Sequence, residues 1–128
     1  RRIPLAAHDD ATTEHVEEAV QLGAQISEFP TTLTAAKAAR KAGLEVIVGT
    51  PNIVCGGSHS GNVSAAKLAS MGLATALSSD YVPLSLLRGV FLLTDAEIRL
   101  SLTKSVSYAS RAPALAVGFE DRGYIASN

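Results

Sequence analysis

The side chains with chemical potential fall into four clusters. His8 stands beside Asp9 and Asp10, and Glu28 precedes Phe29-Pro30-Thr31-Thr32. A glycine-rich stretch at residues 55–62 contains His59 and Asn62, and Asp80 follows a pair of serines. An imidazole with a neighbouring carboxylate is a common way to hold Zn²⁺, the carboxylate orienting the ring from behind. The alternative for His8 is a place at the start of a helix, with Asp9 and Asp10 complementing the helix dipole. Asp80 has two readings of equal weight: a carboxylate that binds metal and accepts a proton from bound water, or a helix N-cap. Gly56, Gly57 and Gly61 free the backbone to turn N–H groups towards an anion, with His59 as a possible cation, or they make an ordinary surface loop. No Gly-Lys-Ser/Thr follows, so the stretch is not a P-loop. Thr31 and Thr32 open a helix and either bind phosphate or simply cap it. Glu28 is a buried acid or base, or a solvated strand end. His15 belongs to an acidic, exposed helix face, and Cys55 lacks a His–carboxylate pair that would make it a nucleophile.

These clusters need a scaffold, and the apolar pattern supplies one. Short apolar runs at 3–7, 25–29, 45–49 and 74–78 are too short for helices, and each contains a β-branched residue, so they read as buried strands. Helical spacing lies between them. From Glu14 the apolar face is Val16, Ala19, Val20 and Gly23, with Thr12-Thr13 as caps. A second helix spans 32–42, with Lys37, Arg40 and Lys41 towards its end and Gly43 beyond, and a third spans 64–71 before Gly72. Strand–helix alternation at roughly 20–30 residues predicts an α/β fold of parallel βα units. Every candidate cluster then sits at the C-terminal end of a strand, where parallel α/β proteins build their sites. Beyond the fourth strand, Pro83 admits a helix largely buried by Leu86, Leu87, Val90, Phe91 and Leu93. Asp95 is expected to cap another helix, Thr103 one through Ala109, and Pro113 a short turn ended by Gly118, with an extended tail after it.

Composition narrows the function classes. Eleven basic and twelve acidic residues give net charge −1, which removes the electrostatic case for nucleic acid or an anionic membrane. Aromatic residues make up 5% with no Trp, so a base-stacking platform is not expected. No apolar run approaches the ~20 residues of a membrane span. Arg1-Arg2 is followed by too short an apolar stretch for a signal peptide, and one cysteine fits a reducing cytoplasm. With Met71 as its only methionine, the chain reads as an excerpt of a longer one.

Five segments together resemble the phosphonate-metabolism branch of the amidohydrolase superfamily: AHDDAT at 7–12, SEFPTT at 27–32, GTPN at 49–52, GGSHSGN at 56–62 and SSDYVP at 78–83. The tail from Pro113-Ala114 through Gly118-Phe119-Glu120-Asp121-Arg122-Gly123-Tyr124-Ile125 resembles the superfamily's exit from its barrel. The resemblance implies strands five to eight of a distorted (β/α)₈ barrel over 1–118, with 119–128 starting the return to a β-domain. It implies His8 as the strand-five metal ligand and Asp80 as the carboxylate that contacts metal and activates water. Gly56, Gly57, His59 and Asn62 would line the phosphate-rich end of a phosphorylated small-molecule substrate. The implied cofactor is a divalent metal, zinc by default with Mn²⁺ or Mg²⁺ as alternatives. The implied reaction cleaves a ribose 1-phosphonate 5-triphosphate and releases pyrophosphate. Glu28 stands where many members carry a second His, and Cys55 and Ala112 where the family usually has a basic residue and Asn. The missing first half of the barrel would carry the other ligands, so the chain alone is expected to be inactive and to self-associate through open sheet edges. A stand-alone module that binds a phosphorylated ligand without chemistry, an amidohydrolase acting on a C–N bond, and an inactive relict kept for oligomer contacts are the competing expectations.

Overall fold

A computed structural model describes residues 3–58 and 60–127. Four parallel strands, β1 (Leu5–His8), β2 (Ala24–Glu28), β3 (Glu45–Gly49) and β4 (Ala76–Ser78), form one sheet in the order β1-β2-β3-β4. The α/β expectation is met: each consecutive strand is reached through helix, by α1 (Thr13–Gln21), α2 (Leu33–Lys41), then α3 (Thr50–Val54) with α4 (Ala65–Ser70). Sequential parallel order is what a segment of a barrel wall would have.

Local chemistry sets the helix ends. Thr12, Thr32 and Ser64 adopt extended backbone, and each hydroxyl accepts from an N–H three residues on, satisfying an otherwise orphaned donor. Gly23, Gly43 and Gly72 follow with φ between 68° and 88°, the left-handed turn that ends a helix.

Strand periodicity then divides the sheet into two faces. Val46, Val48 and Leu77 point towards the helices and pack with Ala35, Ala36 and Ala39 of α2 and Leu68 and Ala69 of α4. The alanines let α2 lie close to the sheet, and each fully buried leucine contributes about 2 kcal/mol. On the opposite face the register aligns Ala6 with Ile26, His8 with Glu28, Glu28 with Ile47, and Ile47 with Ala76. That face borders an apolar cleft of about 450 Å³ reached by Val117 and Phe119.

After β4 come α5 (Ser85–Leu92), α6 (Leu102–Ala109) and α7 (Arg111–Ala116). Three sequence expectations change here. Leu86, Val90 and Leu93 pack on the core, but Leu87 and Phe91 are 69% and 56% exposed, because α5 is apolar on two faces and only one meets the sheet side. Asp95 does not start a helix. Its carbonyl accepts from Ile98 and Arg99, and Arg99 turns to φ 60°, which ends the run as a turn. Ser101, not Thr103, caps α6 by accepting from the Lys104 N–H. Residues 119–127 carry neither helix nor strand and are pinned by Arg111, which donates to the Glu120 and Arg122 carbonyls. Among the described residues no helix is long and apolar enough to cross a membrane.

Candidate functional site

The four strand ends open onto one cleft of about 360 Å³. His8 ends β1 with its side chain about half exposed. Its Nδ1 lies 3.2 Å from Asp9 Oδ2 and its Nε2 3.8 Å from Glu28 Oε2. The β2 exit contributes Phe29, whose ring meets the His8 imidazole edge-on at 5.4 Å between centroids. Asp80 follows β4, and its N–H donates to Ser78 Oγ at 3.2 Å. Gly49 ends β3 between them: a Cβ there would touch the Phe29 ring at 3.6 Å and Asp80 Oδ2 at 3.8 Å.

Three of these strand exits share an unusual backbone. Asp9, Phe29 and Asp80 have φ of 60°, 54° and 50°. Aspartate tolerates this left-handed conformation, whereas phenylalanine is disfavoured in it. Hydrogen bonds hold two of the turns, since Asp9 N–H donates to the Glu28 carbonyl and Phe29 N–H to the Ile47 carbonyl. The ladder is thereby carried one residue beyond each strand.

The structure brings His8, Asp80, Gly57 and Asn62 to the same cleft, and Glu28 to its edge beside His8. Thr31 and Thr32 are used differently. Thr32 caps α2 and donates to the Ala11 carbonyl at 2.7 Å. Thr31 exchanges backbone bonds with Asp10 and Val63, so the two threonines stitch three strand-end loops together. Two of the three glycine amides expected to converge on an anion are also engaged within the chain. Gly56 N–H donates to the Ile53 carbonyl and Gly57 N–H to the Asn52 carbonyl, closing α3 at its C-terminus with Gly56 at φ 74°. His59 lies outside the described residues.

Several cleft residues had no individual role in the sequence: Ser58 and Ser60 bring hydroxyls and Tyr81 an aromatic ring, beside the exposed Cys55 thiol. Asn52 also lines the cleft, and its Oδ1 accepts from Ala65 N–H at 2.9 Å, tying α3 to the start of α4. The available signal was proximity to a strand end, which marks a region without distinguishing lining residues from fastening ones. Asp10 is one of the fastening kind, buried and accepting from Ser27 Oγ.

The donors suit a divalent metal in kind, one imidazole and one carboxylate, but not in number. Among the described residues no three His, Cys, Asp or Glu side chains are grouped to hold an ion.

No protein-family model matches the sequence. The chain is 53% identical over 126 residues to the alpha-D-ribose 1-methylphosphonate 5-triphosphate diphosphatase of Escherichia coli K12, covering 98% of this chain and 33% of that enzyme. It therefore spans about a third of that relative's length. The likeness to phosphonate-metabolism enzymes read from the five motifs is borne out by this match. The crystal structure of an uncharacterized protein superposes with a TM-score of 0.63 at 17% identity, over 96% of this chain and 36% of the other. That likeness concerns the fold alone.

Proposed function

We propose that this chain, as a close relative of the E. coli enzyme along nearly its whole length, supplies one wall of a diphosphatase site that releases pyrophosphate from a ribose 1-phosphonate 5-triphosphate. The observation that carries the proposal is the convergence of His8, Asp80, Gly57 and Asn62 on one cleft at the C-terminal ends of parallel strands. In this reading the four strands are strands five to eight of a distorted amidohydrolase-type barrel over 1–118, and 119–128 begin the return to a β-domain. The remaining wall and the missing ligands belong to the rest of a longer polypeptide.

Each residue then has a physical task. Asp9 faces His8 Nδ1, leaving Nε2 for the cation; Glu28 lies near enough to that nitrogen to share it. Zinc is the expected ion, with Mn²⁺ or Mg²⁺ as alternatives, and when bound it offsets phosphate charge and makes water a better nucleophile. The Asp80 carboxylate accepts the proton of the water that attacks the α-phosphorus. Ser58, Ser60 and Asn62 offer hydroxyl and amide donors to the departing pyrophosphate, while Gly56 and Gly57 shape the loop that presents them. His59, Thr31 and Thr32 complete the proposed phosphate end, the threonines by holding the loops in register. A phosphorylated small molecule as ligand and a cytoplasmic setting accompany this reading.

The test replaces the matching third of the E. coli enzyme with this chain and measures pyrophosphate release. Asp80→Asn is expected to lower turnover by about 10²–10⁴-fold while substrate affinity changes little. Undiminished turnover in that variant would remove Asp80 from the chemistry. The competing reading, a module that binds phosphate without catalysis, draws on the absence of a three-donor cluster among the described residues. A chimera that binds pyrophosphate but never releases it from the triphosphate would favour that module.

A further inference from the structure

Phe29 combines three features that its position alone does not require. It holds φ at 54°, a left-handed conformation that bulky non-glycine residues rarely adopt. Its ring meets His8 at 72° between planes, in the T-shaped arrangement that aromatic quadrupoles favour. A Cβ built on Gly49 would lie 3.6 Å from the Phe29 ring and 3.8 Å from Asp80 Oδ2. His8 and Asp80 come from β1 and β4, the two outermost strands of the sheet. Phe29, one residue past β2, is the side chain whose ring meets His8 and reaches towards Gly49 at the end of β3.

We infer that Phe29 is a positioning residue for the proposed site: its ring fixes the plane of the His8 imidazole. The half-exposed His8 side chain has few other restraints, since its described polar neighbours are the carboxylates of Asp9 and Glu28. A carboxylate restrains one nitrogen, whereas an edge-on ring restrains rotation of the whole imidazole. The left-handed turn is what aims the ring. With Phe29 N–H bound to the Ile47 carbonyl, extended φ values would send the side chain elsewhere. Backbone strain retained at a functional cleft is the usual sign of such pre-organisation.

The inference rests on the catalytic reading for its purpose but not for its test. NMR of the imidazole signals in the full chain, with His8 assigned through His8→Gln, reads ring order without metal, substrate or turnover. In the native chain His8 is expected to show a ring-current-shifted signal and a single rotamer. Phe29→Leu keeps an apolar side chain of similar bulk and is expected to lose both, while circular dichroism and the His15 signal stay unchanged. Phe29→Tyr keeps the ring and is expected to restore both. An ordered, shifted His8 signal in Phe29→Leu, or its loss in Phe29→Tyr with the fold intact, would overturn the assignment. The Asp80→Asn chimera can fail while this result stands, and the reverse, so the two readings are separable.

Discussion

At Gly89 a single hydrogen atom decides how α5 meets α3. A Cβ built there collides with the Thr50 Cγ2 methyl, and Thr50 is fully buried with its hydroxyl donating to the Ser78 carbonyl at 2.8 Å. Thr50 cannot move aside without losing its bond to the end of β4. Gly89→Ala is therefore expected to cost about 1–3 kcal/mol in urea melts despite its gain in helix propensity. Tyr108 makes a second residue-scale case. Its hydroxyl donates to the Ala74 carbonyl, and burial raises its pKa above the ordinary tyrosine value, partly opposed by Arg40. A raised folded pKa means that this contribution to stability is fully present below the unfolded value near 10 and is lost as pH rises through the folded one. Tyr108→Phe should flatten the alkaline side of a stability–pH profile and cost about 1 kcal/mol at neutral pH. These contacts join residues 28 and 34 positions apart, and nothing in their local sequence announces them.

The first helix starts were legible, because a cap acts within four residues, whereas the later ones expected at Asp95 and Thr103 do not form there. Thr12, Thr32 and Ser64 cap where threonine or serine precedes an apolar-periodic run. The span of β3 agrees for a similar reason, with apolar Val46, Ile47 and Val48 sitting between polar or glycine boundaries. Sequence reasoning missed α3 because five residues with Pro51 inside them carry no helical period. That short helix depends on tertiary partners: Thr50 bonds to β4, and Asn52 holds the first turn of α4. Thr32 links the two regimes, as it caps its own helix and also donates to Ala11 across the loop. Thr32→Ala should accordingly cost about 1–2 kcal/mol, more than a cap alone at a peptide terminus, and thermal unfolding would measure it. A loss of only a few tenths would mean that the Ala11 bond is not formed in solution.

For the whole molecule, the notable feature is a sheet with β1 and β4 at its edges and few helices to cover one face. Ile3, Leu84 and Leu87 are largely exposed, alongside an apolar cleft of about 450 Å³. Parallel sheets are ordinarily covered on both faces, so the chain made by itself is expected to associate in a concentration-dependent way. Sedimentation over a wide concentration range would show it, and a monodisperse monomer throughout would refute it. Leu87→Glu with Phe91→Glu would separate association through α5 from association through the sheet. By itself, the sequence determined the strand–helix alternation, most caps and the placement of candidate residues at strand ends, because period, capping and turn chemistry act over a few residues. Tertiary structure decided which strand-end groups share a cleft, that the Gly56 and Gly57 amides close a helix, and that the Phe29 ring meets the His8 imidazole. Those outcomes depend on register and loop closure between strands some twenty or more residues apart, and no local pattern encodes that separation.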